Sequence, residues 1–526
     1  LPRPDLEDRN FHFETKALGG PEAHWPRSVS NTDKTLSFKP DSDRELFLSC
    51  SKGHYKPSPE WKYNLYQPNE ADRGLEPYTD LYSPGYFDFE LAGGNTAEFT
   101  GQILTDCEPE KVAHEHSFDQ EAAFCPASPA IDELMLSSMN AYIVKRDEFK
   151  TVIAGYPWFL DWGRDTLICA RGLIAAGKYE DVKKILVQFG KFAKDGILPN
   201  IIHGEHVGNW DTSDAPLWFF VACSDMCKAE GDHRFLDTKV DSDKTLREVL
   251  KEIAAGYIAG TPNGIKMDEN SGLIFSPAHF TWMDTNYPAG TPREGYPIEI
   301  QALWHAALTF LASANGEPQW QALADQVNAS IVEYFMLPEQ GYLSDCLHCQ
   351  PDTPASKAVA DDHLRPNQLF ALTLGAVKNK ALGQSILDAV SALLIPGAIR
   401  TLADCPVEYE LPVMNGKQLL NDPHHPYWGH YAGNEDSRRK PAYHNGTAWT
   451  WPFPSYCEAY YQVYGQSAGK TAKAILSSTQ VLLNEGCVGH LPEIVDGNLP
   501  HCQKGCDAQA WGATELYRVW KILDKF

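Results

Sequence analysis

At 526 residues the chain is long enough for a large core and two domains. It is 43% hydrophobic, with 14 Trp and 23 Tyr, which marks it as globular rather than disordered. A formal net charge of -25 argues against nucleic acid and against anionic membrane surfaces, both of which want a basic face, while a neutral polymer such as a glucan is indifferent to it.

No apolar run approaches the roughly 20 residues of a membrane span. The chain starts Leu1-Pro-Arg-Pro4 without a signal-peptide pattern, so it reads as a processed product or a fragment. Thirteen cysteines cannot all pair, and Cys169, Cys223 and Cys457 fall inside apolar helical patterns, which favours reduced thiols and a cytoplasmic setting. Cys346-x-x-Cys349 and Cys502-x-x-x-Cys506, with His501 adjacent, offer zinc ligands only at loose spacings. The expectation is no metal and no cofactor.

Residues 1–110 are rich in Pro, Asp and Gly, with short alternating runs at Thr35–Phe38 and Arg44–Ser49. Tyr82–Leu91 and Thr96–Ile103 read as strands flanking a Gly-Gly turn, so this region is expected to be part of an antiparallel β-domain. Residues 111–130 read as a linker. From 131 to 526 apolar positions recur every three or four residues in twelve segments: 131–144, 166–177, 179–194, 214–229, 243–258, 297–314, 317–335, 365–375, 378–393, 447–464, 467–483 and 508–525.

Connections after even-numbered segments are mostly short and those after odd-numbered ones long, which is where function concentrates. Six helix pairs with all long loops at one end describe a closed α/α toroid with one elaborate rim. That rim would gather Trp162–Asp165, Asp211–Asp214, Thr281–Asp284, Asp361–Asn367, Tyr443–Gly446 and Pro492–Gly497.

The densest stretch is Gly155-Tyr-Pro-Trp-Phe-Leu-Asp-Trp-Gly-Arg-Asp-Thr166. Trp158, Phe159 and Trp162 offer flat apolar faces, and Arg164 and Asp165 set donors beside acceptors at a helix start. A sugar ring fits such a wall, its C–H face on an aromatic and its hydroxyls on the charged pair. An ordinary N-terminal cap also explains Asp165 and Thr166, but needs none of the tryptophans.

Glycosidic hydrolysis needs one protonated carboxyl and a second carboxylate opposite. Asp284 follows Trp282 and precedes Tyr287-Pro-Ala-Gly290, a setting that raises a carboxyl pKa as a general acid requires. Glu493 lies in the last long loop, between Gly489-His-Leu-Pro492 and Asp496-Gly497. Either could also be a plain loop carboxylate. Glu299 could line the pit or offset its helix N-terminus. His444 and His430 could be bases, but no nucleophile elbow accompanies them, and no phosphate loop or dinucleotide fingerprint is present.

The stretch Gly155–Thr166 resembles the start of the amylo-α-1,6-glucosidase domain of glycogen debranching enzymes. The resemblance continues in order through Gly196–Asn200, Asp211–Phe220, Thr281–Asp284, Thr291–Arg293, Pro297–Trp304, Leu364–Gln368, Tyr443–Thr447, Glu493–Gly497 and Gln509–Trp511. It implies an all-α (α/α)6 toroid barrel, preceded here by a small antiparallel β-domain, and an inverting, exo-acting hydrolase that releases glucose from α-1,6 branch points of an α-glucan. By motif, Asp284 would be the general acid and Glu493 the general base, about 6.5–9.5 Å apart as inverting pairs are. Arg164 and Asp165 would grip the terminal glucose, with Trp162, Trp218, Trp282 and Trp449 as walls, and Asp214, Glu299, Tyr443, His444 and Asn445 would complete the pocket.

Two departures stand out. No glucanotransferase barrel is read in the chain, and the stretches 346–360 and 406–440 match none of these motifs. A glucoamylase-like or trehalase-like enzyme on the same barrel, or a non-catalytic glycan binder, remains open from sequence alone.

Overall fold

The computed structural model describes residues 1–9, 13–72, 75–104, 131–146, 149–203, 206–241, 244–285 and 290–526. Contacts divide the chain into two units, Leu1–Ser128 and Pro129–Phe526. The linker expected at 111–130 lies outside the described residues.

In the first unit β1 (Val29–Asn31), β2 (Thr35–Phe38), β3 (Glu45–Cys50), β4 (His54–Tyr66), β5 (Tyr78–Asp88) and β6 (Phe99–Leu104) form two antiparallel sheets. One has the order β1-β2-β3-β6 and the other pairs β4 with β5. Alternation explains the inner face: Leu36, Phe38, Leu48 and Cys50 point inward and pack with Trp25, Tyr55, Tyr82 and Phe87. The strands on either side of Gly93-Gly94 join different sheets, β5 with β4 and β6 with β3. β4 escaped the sequence reading because Pro57 and Pro59 interrupt it, and its register shifts twice against β5.

The second unit carries all twelve expected helices: α1 (Ile131–Tyr142), α2 (Gly163–Ala175), α3 (Tyr179–Lys191), α4 (Ala215–Glu230), α5 (Leu246–Ala259), α6 (Ile298–Asn315), α7 (Pro318–Phe335), α8 (Leu369–Thr373), α9 (Lys380–Val390), α10 (Phe453–Tyr464), α11 (Gly469–Ser477) and α12 (Ala510–Leu523). Most ends shift by two to four residues or more, and three of the differences have a clear local cause. The tenth helix begins at Phe453 rather than 447, because Ala448–Trp449 pairs as a strand and Pro452 supplies no N–H. The twelfth begins at Ala510, because Ala508–Gln509 pairs with Gly155–Tyr156. The eleventh stops at Ser477, where the Ser477 and Thr479 hydroxyls donate to the carbonyls of Lys473 and Leu476.

Neighbour packing runs from α2 to α4, α6, α8, α10 and α12, and α12 returns to α2. These even-numbered helices are apolar nearly all round, as inner helices must be, and the odd-numbered ones are one-sided. Twelve of the thirteen residues of α2 are buried, against six of thirteen in α3. Gly172 permits the crossing of α2 and α12: a Cβ there would stand 2.3 Å from the Thr514 carbonyl oxygen.

The long connections are tied to one another by strands. Leu394–Ile395, Ala398–Arg400, Ala448–Trp449, Ile494–Val495 and Gln503–Lys504 form one five-stranded sheet across the loops before α10 and α12. Gly295–Pro297, Cys346–His348 and Val359–Ala360 join the loops before α6 and α8 in the same way.

The close crossing predicts that Gly172→Ala, which overpacks it, lowers stability by about 1–3 kcal/mol. Denaturant melting followed by helical circular dichroism measures this, and an unchanged midpoint would contradict such a tight contact.

Candidate active site

The mouth of α2 holds a buried arginine. Arg164 Nε donates to Asp214 Oδ2 at 2.7 Å, Nη1 to Asp284 Oδ2 at 2.9 Å, and Nη2 to the Thr281 carbonyl at 3.1 Å. One guanidinium in the first turn of α2 therefore fastens the loops before α4 and α6 together. Trp162 stands at the N-cap position and makes no side-chain cap bond. The first N–H of the helix, on Gly163, donates instead to the Asn200 carbonyl.

Around this point Phe159, Trp162, Arg164, Asp165, Trp282, Asp284, Tyr443, Trp449, Glu493, Gln509 and Trp511 line a pit of about 410 Å³, counting its open mouth.

The carboxyls differ in their surroundings. Asp284 keeps 34% of its side-chain surface open to solvent. Burial nonetheless raises its carboxyl above the ordinary range, with Asp214 adding repulsion, while Arg164 pulls the other way. Asp165 is pushed up to about 8, first by burial and then by the charges of Asp284 and Glu493, against the pull of Arg164. At neutral pH it therefore carries a proton and can donate to a ligand oxygen.

Among the described residues, three donors hold Glu493. The Tyr443 hydroxyl donates to Oε1, Gln509 Nε2 to Oε1 at 3.4 Å, and the Cys506 N–H to Oε2 at 3.0 Å. Gly505 is needed beside it, because its φ is +71° and a Cβ there would meet Glu493 Oε2 at 2.3 Å.

The aromatic walls lock one another. Trp282 meets His444, Trp449 and Trp451 edge to face at 5.2–5.3 Å between ring centroids, and its Nε1 donates to Asn367 Oδ1 at 2.8 Å. Trp511 stacks on Trp451 at 4.8 Å, and Trp449 Nε1 donates to the Tyr443 carbonyl. Two polar atoms of pit-lining side chains, Trp511 Nε1 and Gln509 Oε1, have no hydrogen-bond partner among the described residues.

Residues 136–518 match the family described as amylo-alpha-1,6-glucosidase. The chain belongs to that family. Residues 3–98 match the glycogen debranching enzyme N-terminal family. The glycogen debranching enzyme of Saccharomyces cerevisiae is 22% identical over 502 residues, covering 74% of this chain and 32% of that protein, so the chain spans about a third of this relative's length. Among solved structures, a wild-type glycosidase and a glycosidase variant in complex with glucose are each similar at a TM-score of 0.50 and 11% identity, covering 75% of this chain and 97% of theirs. At that identity the likeness is one of fold.

In this member of the amylo-α-1,6-glucosidase family, eight of the residues singled out from sequence line the pit: Trp162, Arg164, Asp165, Trp282, Asp284, Tyr443, Trp449 and Glu493. The other five sit behind it. Asp214 holds Arg164 from below. Trp218, expected as a wall, is buried against Phe370, Trp451 and the Arg171 guanidinium. Glu299 is engaged by both terminal nitrogens of Arg293, at 2.5 and 2.6 Å. Asn445 accepts from Arg365 and donates to the Gly290 carbonyl. His444 is wedged between Trp282 and Trp449, where burial drives its pKa well below the ordinary value and leaves it a poor base.

Phe159, read from sequence as one of the flat apolar faces, also lines the pit, whereas Trp158 does not; Gln509 and Trp511 complete the lining without having been singled out as site residues, although Gln509–Trp511 closes the run of family motifs. Beneath the loop that carries Asp284, Arg293 also donates to Thr281 Oγ1 and Asp345, and Asn367 donates to Asp345. The loose cysteine motifs make no cluster: among the described residues no group of three or more His, Cys, Asp or Glu side chains could hold a metal ion. No described helix is long and apolar enough to cross a membrane.

The protonated state of Asp165 has a measurable cost. Between the ordinary carboxyl value near 4 and its folded value of about 8, the folded chain keeps a proton that the unfolded chain has lost, so Asp165 subtracts stability as pH rises through that window. Asp165→Asn removes the penalty. The melting temperature of the variant relative to the parent should therefore climb from pH 5 to pH 8, and a flat difference would mean that Asp165 is ionised throughout.

Proposed function

We propose that this chain is an inverting, exo-acting glycoside hydrolase that releases glucose from α-1,6 branch points of glycogen-like α-glucans or short branched oligosaccharides. The closed circuit of six inner helices, with the longest connections leading to their N-termini, supports an (α/α)6 toroid as its scaffold. The observation that carries the function is the pairing of Asp284 and Glu493 in one aromatic-walled pit, the first with a raised carboxyl and the second held by three donors.

In this mechanism Asp284 gives its proton to the glycosidic oxygen as the C1–O bond breaks. Glu493 takes a proton from a water on the opposite face, whose oxygen bonds to C1 and leaves β-glucose. Solvent exchange then returns each carboxyl to its starting state. Arg164 keeps Asp284 aimed, and protonated Asp165 donates a hydrogen bond to a hydroxyl of the bound glucose. Trp162, Trp282, Trp449 and Trp511 cover the ring faces. Asp214, Trp218, Glu299, His444 and Asn445 act by holding these groups in place. The eleven described cysteines are all free thiols, which supports a reducing, cytoplasmic setting.

Two variants and two substrates test the assignment. On a branched limit dextrin, Asp284→Asn and Glu493→Gln should each lose on the order of 10²-fold or more in kcat. On α-glucosyl fluoride, whose leaving group needs little protonation, Asp284→Asn should recover much of its rate and Glu493→Gln should not. Because Asp284 acts protonated and its value is raised, parent activity should fall as pH rises through that value, and it should fall again in acid, where the base Glu493 takes up a proton. Undiminished dextrin hydrolysis by Asp284→Asn would remove it from the mechanism, and preferential release from maltose or trehalose would replace the linkage assignment.

A further inference from the structure

The pit receives the glucose that is released, and the rest of a glucan must lie on the rim outside it. One rim stretch, 406–440, matches none of the family motifs read in this sequence, and it carries Tyr431. The Tyr431 ring stands 5.5 Å from that of Tyr443, with the planes 38° apart. Tyr443 lines the pit and donates to Glu493, so Tyr431 is one ring removed from the proposed base. It is only half-buried, and its neighbours His430, Ala432, Gly433 and Asn434 are exposed.

The ring is fixed rather than loose. The Tyr431 N–H donates to Asp496 Oδ1 at 2.7 Å, and the guanidinium of buried Arg439 lies 5.8 Å from the ring centroid. The same stretch also meets the acid's loop. A Cβ on Gly290 would stand 3.2 Å from the Lys440 carbonyl oxygen at the end of the stretch, and just beyond it Asn445 donates to the Gly290 carbonyl at 2.7 Å. Tyr431 therefore belongs to a surface that borders both the base and the far end of the acid's loop. An acid protonates the oxygen of the leaving group, so the leaving sugar rests on its side of the cleft.

We propose that Tyr431 is the platform on which the first glucose of the leaving α-glucan chain stacks, making it a specificity-determining residue for a polymeric rather than a small leaving group. This rests on the glucosidase reading above. A sugar's C–H face packs on an aromatic ring, and a ring already held by a backbone bond and a guanidinium loses little freedom when it is covered.

The test compares kcat/KM on a branched limit dextrin with kcat/KM on α-glucosyl fluoride, which has no leaving sugar. In Tyr431→Ala the dextrin-to-fluoride ratio should fall about tenfold or more, the scale of removing an aromatic anchor. Tyr431→Phe, which keeps the ring, should retain the parent ratio. An equal loss on both substrates would mean that Tyr431 only braces Tyr443, and an unchanged ratio in Tyr431→Ala would mean that the leaving chain rests elsewhere. Either result overturns the proposal. A parent protein that hydrolyses neither substrate would sink the glucosidase reading itself.

Discussion

The buried guanidinium of Arg164 is the constraint on which the site depends. A charge taken out of water is tolerated only when its donors are met, and here they are met by Asp214, Asp284 and the Thr281 carbonyl, from two different loops. Asp284 is thereby placed by a hydrogen bond to the first turn of α2 rather than by its own loop alone. A lysine could not replace that fork, because a point charge cannot hold three acceptors in fixed directions. The arrangement also puts several carboxyls around one cation, and the surplus negative charge together with burial is what raises Asp165 and Asp284.

The opposite side of the pit is built differently. Glu493 leads into a short antiparallel pairing, Ile494–Val495 with Gln503–Lys504, and the same sheet contains Trp449. Strand pairing, not a salt bridge, fixes the distance from the aromatic wall to this carboxylate. Behind both sides lies a layer of interlocked rings, in which Trp451 contacts Trp218, Trp282, Phe370 and Trp511. Polar loops on a stiff aromatic floor give the precision that loops alone lack.

Much of this was legible in the sequence, for identifiable reasons. Apolar periodicity marked all twelve helices, because an inner helix cannot hide its composition, and the alternation of short and long connections pointed to a single rim. Asp284 and Glu493 stood out through their aromatic and glycine-rich neighbours. What resisted reading depended on partners distant in the chain. Trp218 and Trp511 look equally suited to a pit, yet one faces Phe370 in the core and the other lines the cavity. Glu299 reads as a pocket acid until Arg293 is seen to hold both its oxygens. The helix expected from 447 starts at Phe453, because a strand partner at Ile494–Val495 claims Ala448–Trp449. β4 was hidden by its prolines, which sequence patterns take for breaks.

The central claim is that water reaches the anomeric carbon from the face opposite the leaving oxygen. The direct measurement is proton NMR of the glucose released from an α-1,6-branched dextrin in the first minutes, before the anomers equilibrate. The account predicts β-glucose as the first product. Initial α-glucose would mean retention through a covalent intermediate, and would contradict the assignment of Asp284 and Glu493 as an inverting acid and base.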